Sequence, residues 1–115
     1  MHQSPKLLIL DERSDRRERL AMMASRFGCI RVDPLGEIGR EDFEKGAYDV
    51  AFVHYNNKEG MDIEDVWVSP GTKIVFFSGG FDMDIDEDEG FIYVKDQIIQ
   101  NEGNLKQILQ RVLAP

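Results

Sequence analysis

Lys6-Leu7-Leu8-Ile9-Leu10-Asp11-Glu12 decides the fold. Four apolar residues in a row, without the alternation of a half-exposed strand, predict a strand buried on both faces. Its abrupt end in two acids predicts that the chain leaves the core there. Three later stretches repeat the pattern: Val50 to Val53 ending at His54, Lys73 to Phe77 ending at Ser78, and Phe91 to Val94 ending at Lys95. Cys29 to Val32 reads as a shorter strand.

Between these runs lie amphipathic stretches. Leu20, Met23, Ala24 and Phe27 share one face of a helix expected over 14–27, with Ser14 or Asp15 as its cap and Gly28 as its stop. A weaker helix is expected over 35–45, because Gly36 and Gly39 fall inside it. Residues 63–68 suit a short helix, and Pro70-Gly71 a turn. The last helix is the clearest, with Leu105, Ile108, Leu109, Val112 and Leu113 at helical spacing. Strands alternating with helices predict an α/β fold: a five-stranded parallel sheet with helices on both faces, in one domain over 1–115.

The 115 residues carry 14 basic and 22 acidic side chains, a net charge of −8. The densest basic run, Arg13, Arg16, Arg17 and Arg19, is interleaved with Asp15 and Glu18. Nucleic acid and anionic membranes are therefore poor partners. Cys29 is the lone cysteine, so no disulfide framework is expected. Neither a signal-peptide pattern nor an apolar run of spanning length is seen, and the expected location is the cytoplasm.

In an open parallel sheet, function collects at the carboxyl ends of the strands. Here those ends bring Asp11 and Glu12, His54, Ser78 and Lys95. This set, in this order, resembles the receiver domains of bacterial response regulators. Lys6–Leu10 with Asp11-Glu12 is similar to their first strand and acid pair. Tyr48 to His54 is similar to the third strand, whose last position is the phosphorylated aspartate. Ser78 and Lys95 match the hydroxyl and the lysine that end the fourth and fifth strands. The resemblance implies a flavodoxin-like receiver fold.

The departures shape the expected function. His54 stands where the acceptor aspartate belongs, and Asp96 follows Lys95 where proline is usual. Ile92 takes the position of a switching aromatic, flanked by Phe91 and Tyr93. The intervals His54–Ser78 and Ser78–Lys95 are short, so the third and fourth helices of the family pattern are expected to be stunted or missing. The connection 96–104 is longer than usual. A receiver transfers phosphoryl to a carboxylate with the help of an acid-held Mg²⁺. His54 removes the nucleophile and an oxygen ligand together. Asp49, the nearest preceding carboxylate, lies roughly 16 Å away at extended rise.

The expected protein is thus a non-phosphorylatable pseudo-receiver, not an enzyme, with no cofactor and no metal. It would serve as an interaction module in two-component-type signalling, binding a signalling protein or a second copy of itself. Two alternatives stay open: a conventional phospho-accepting receiver, or a transition-metal site at Asp11, Glu12 and His54. His54 is expected to be structural, with phosphorylation on its nitrogen as the rarer role, and Lys95 to pair with Asp11 or Glu12. The run Asp82 to Gly90 places Asp82, Asp84 and Asp86 at EF-hand spacing, but Glu87 replaces the glycine and Tyr93 the closing glutamate. A solvated acidic loop is expected instead, with Phe81, Met83 and Ile85 anchoring it. Asp84, Asp86, Asp88 and Tyr93 form the expected partner surface.

Overall fold

The computed structural model describes residues 5–27, 31–55, 71–88 and 90–114, without the side chains of Arg40 and Asp88. The strand β1, Lys6–Leu10, leads into α1, Ser14–Ser25. Then follow β2, Arg31–Leu35, α2, Arg40–Gly46, and β3, Val50–His54. Beyond residues 56–70 come β4, Lys73–Ser78, β5, Ile85–Asp88, and β6, Phe91–Lys95. The chain closes with α3, Asp96–Ile99, and α4, Glu102–Leu113.

The sheet order is β2-β1-β3-β4-β6-β5. The pairs of β1 with β2, β1 with β3, β3 with β4 and β4 with β6 are all parallel. Those five strands follow the flavodoxin-like order, whose topological switch point lies between β1 and β3. The long apolar runs are buried because both sheet faces are covered. Leu7, Ile9, Val50, Phe52, Val75, Phe77 and Val94 face α1 and α4. Leu8, Leu10, Ala51, Val53 and Phe76 face the other way, against Phe43 of α2 and Tyr48.

The expectation of five strands is corrected to six, the sixth being antiparallel. β5 runs against β6, with Ile85 opposite Val94 and Glu87 opposite Ile92. Within the acidic stretch, Ile85–Asp88 is therefore an edge strand rather than loop, while residues 82–84 stay outside it and exposed. The apolar residues of the stretch alternate with acids at period two, a strand signal that its charge obscures. Gly90 leads into Phe91 at φ +85, a conformation in which a Cβ is strained. Phe81 does anchor this region, among Tyr55 and Tyr93. Met83 and Ile85 do not: they are 52% and 43% exposed.

Smaller shifts have local causes. α2 begins only at Arg40, so both glycines stay outside it. The chain leaves α2 through Ala47 in the left-handed region, at φ 50. β2 extends to Leu35 rather than ending at Val32, carried by its pairing with β1. Part of the long connection 96–104 is helical, as α3. The helix expected over 63–68, the strand start at Cys29-Ile30 and Gly28 lie outside the described residues.

Candidate functional site

Asp11 and His54 end the two strands that flank the switch point. Leu10 is the register partner of Val53, so one more step along each strand sets Asp11 beside His54. His54 pairs in register with Phe77, and Ser78 with Lys95. The carboxyl ends thus bring together Asp11, His54, Ser78 and Lys95, with Glu12 exposed at the rim.

The Asp11 side chain is fully buried, and a buried carboxylate needs a cation or several donors. It has both. Arg16, from the first turn of α1, grips both carboxylate oxygens: its Nε donates to Oδ2, and its second terminal nitrogen to Oδ1 at 2.8 Å. The backbone N–H of Arg13 adds a bond to Oδ1 at 3.0 Å. Arg17 donates to the Asp11 carbonyl at 2.8 Å, while the Asp11 N–H donates to the Leu35 carbonyl at 3.1 Å. Asp11 therefore ties the start of α1 to the end of β1. The bond to Asp11 raises the Arg16 pKa further above its ordinary value.

His54 is 5% exposed and stands edge-on to the Phe77 ring, 5.1 Å between centroids. Burial lowers its pKa first, and the Arg16 guanidinium lowers it further. The carboxylates of Asp11, Asp96 and Glu12 oppose this without reversing it. The imidazole is therefore neutral at neutral pH. Ser78 is buried, and its Oγ accepts the Gly80 N–H at 3.1 Å, an arrangement that shapes the turn leaving β4. Lys95 is half-buried, and its backbone N–H donates to the Asp84 carbonyl at 2.8 Å.

Two members of this cluster were not singled out in the sequence. Arg16 was legible only as part of a basic run, and its i+5 spacing from Asp11 is not a recognised pairing interval. In the sequence Asp96 stands out only as a replacement for proline, yet its charge acts on both Arg16 and His54. Of the two partners expected for Lys95, Asp11 or Glu12, Asp11 is taken instead by Arg16, which reaches it from the helix directly after it. Asp49 lies at the opposite end of the sheet, where its Oδ2 accepts the Lys6 N–H at 2.8 Å.

A receiver's Mg²⁺ does not fit these residues. The ion needs oxygen ligands in near-octahedral array. Here both Asp11 oxygens are engaged by a guanidinium, and His54 offers a nitrogen. Among the described residues, no group of three His, Cys, Asp or Glu side chains is placed to hold any metal. That weighs against the transition-metal alternative at Asp11, Glu12 and His54.

The expected partner face lies at the far edge of the sheet. Tyr93 is half-buried, stacked on Phe76 at 5.5 Å and edge-on to Phe81 at 5.7 Å. Asp84 and Asp86 are exposed, and the Asp88 side chain lies outside the described residues. No described helix is long and apolar enough to cross a membrane.

No family model and no curated protein matches the sequence. In structure the chain is similar to a Burkholderia pseudomallei protein described as pilus assembly-related, with a TM-score of 0.66 and 15% identity over 97% of this chain and 92% of that one. It is also similar to a Burkholderia thailandensis protein described as the pilus assembly protein cpaE, with a TM-score of 0.65 and 15% identity over 96% of this chain and 99% of that one. At this identity the likeness speaks to the fold alone, which is flavodoxin-like.

Proposed function

We propose that this chain is a receiver-like domain without phosphoryl-transfer activity, working as a protein–protein interaction module. The observation that carries the reading is the bidentate grip of Arg16 on Asp11, beside His54 at the acceptor position. A receiver site needs a carboxylate nucleophile and a cation held by neighbouring acids. In this chain the nucleophile is replaced by a neutral imidazole, and the cation is supplied permanently by a side chain. A fixed guanidinium satisfies the buried acid without any ligand, so the site resembles one locked state rather than a switch. Ser78 and Lys95 then serve the architecture of the β4 and β6 ends.

The setting we propose draws on both structural neighbours, described as pilus assembly proteins. The partner would be a protein component of such an apparatus, or of a two-component-type pathway controlling one, in the cytoplasm. Intact-mass measurement after incubation with acetyl phosphate and Mg²⁺ tests the reading. An unmodified mass is expected. Stoichiometric addition of one phosphoryl group, removable by hydroxylamine, overturns it.

A further inference from the structure

The end of the sheet opposite β2 is built differently from the rest. β5 is the last strand in the sheet order and hydrogen-bonds to β6 alone among the described strands. The Lys95 N–H donates to the carbonyl of Asp84, its opposite number in register, so 84 with 95 is a hydrogen-bonded pair. Antiparallel pairing alternates such pairs with non-bonded ones. The backbone groups of Ile85 and Glu87 therefore point outward, away from β6. One of them is covered from within: the Glu87 N–H donates to Oδ1 of the neighbouring Asp86 at 2.9 Å.

A cleft flanks this edge on each face of the sheet. On one face, Phe81, Asp82, Met83, Asp86 and Tyr93 line a space of about 320 Å³. On the other, Ile85, Ile92, Gln107, Ile108 and Arg111 line one of about 160 Å³. A strand laid along β5 would send alternate side chains into the two clefts. The first combines aromatic and thioether walls with two carboxylates, which suits the stem and head of a lysine or arginine. The second has an apolar floor of three isoleucines and suits a branched aliphatic side chain.

Charge selects among the occupants. Residues 82–89 contain six acids in eight positions. A second copy pairing through β5 would set these acids against one another, and like charges directly opposite are destabilising. Acids on an edge strand also resist indiscriminate pairing. A basic side chain on an incoming strand reverses that effect, because it draws the Asp86 carboxylate away from the Glu87 N–H and leaves that donor for the partner's carbonyl.

We propose that the β5 edge is a docking site for an extended basic segment of a partner protein, which adds a seventh strand to the sheet with basic and aliphatic residues alternating. This rests on the interaction-module reading above and names the class of its partner. The probe is an eight-residue capped peptide of alternating lysine and valine, titrated at low salt into the full chain and followed by amide NMR. Saturable shifts at Ile85 and Glu87, with slowed exchange of both amides, are expected. Asp84→Lys/Asp86→Lys should keep the fold, shown by unchanged amide signals in β1 and β3, and weaken binding by about tenfold or more, since both positions are exposed rim charges.

Three results would overturn the proposal: no saturable shift with the peptide, equal binding of a glutamate-valine peptide, or concentration-dependent self-association through residues 84–88. None of them bears on whether the chain accepts phosphoryl, which the mass measurement decides separately.

Discussion

Replacing Arg16 by alanine removes the cation that neutralises a fully buried carboxylate. Asp11 keeps the Arg13 N–H but loses both guanidinium bonds. Breaking one partner out of a buried ion pair costs about 3–5 kcal/mol, most of it the penalty of a stranded charge. The Arg16 side chain is 17% exposed, so water reaches part of the vacated space and the lower end applies, about 3 kcal/mol. For a domain of this size that corresponds to a fall in Tm of about 12 °C. Arg16→Lys should recover part of the loss, because a point charge replaces the fork that matches both oxygens. Chemical denaturation of Arg16→Ala, Asp11→Asn and the double variant isolates the pair. A coupling energy of about 2 kcal/mol or more is expected. If Arg16→Ala costs less than about 0.5 kcal/mol, as surface substitutions do, then Arg16 is not the cation of this site and the reasoning fails.

Three further expectations follow from the same geometry. Because burial depresses the His54 pKa below its unfolded value, the unfolded chain takes up the proton first. Stability from this group is full above about pH 6.5 and is lost as pH falls through the folded pKa; His54→Gln should flatten that part of a stability-against-pH curve. Tyr48 donates to Asp33 at 2.9 Å, and burial with that bond pushes its pKa up to about 12. Its contribution is therefore intact below about pH 10 and is lost as pH rises toward the folded value. Tyr48→Phe should cost about 1 kcal/mol at neutral pH, and ultraviolet titration of the parent should show a late tyrosine ionisation that the variant lacks. Finally, His54→Asp alone should gain no Mg²⁺-dependent rise in Tm, because Arg16 still holds Asp11, whereas His54→Asp/Arg16→Ala should gain one by mass action. Equal responses of the two variants would show that Arg16 does not block the acid site.

The parallel sheet and the residues at its carboxyl ends were legible because long apolar runs and their polar stops report burial directly. Leu7 to Leu10 and Val50 to Val53 have one physical explanation, a strand covered on both sides. The edge hairpin was harder to see. In Asp84-Ile85-Asp86-Glu87-Asp88 a period-two signal is carried by one exposed isoleucine among acids, and its partner, Val94, lies beyond a turn. Arg16 was hidden for another reason. Its role depends on where the first turn of α1 points relative to the end of β1, a three-dimensional fact that spacing along the chain does not encode. Asp11 and His54, by contrast, were identified by position alone, since strand ends at the switch point are fixed by topology.

The central claim is that a guanidinium and an imidazole have replaced the cation and the acceptor of a phosphoryl-transfer site. It is tested most directly by titrating the unmodified protein with Mg²⁺ and beryllofluoride while following the amide signals of Asp11, His54, Ser78 and Lys95. The account predicts that none of the four moves saturably, because both Asp11 oxygens are held by Arg16 and no carboxylate stands at position 54. Saturable shifts converging on these four residues would contradict it, by showing that the site still assembles a cation and a phosphoryl mimic despite the side chains that occupy it.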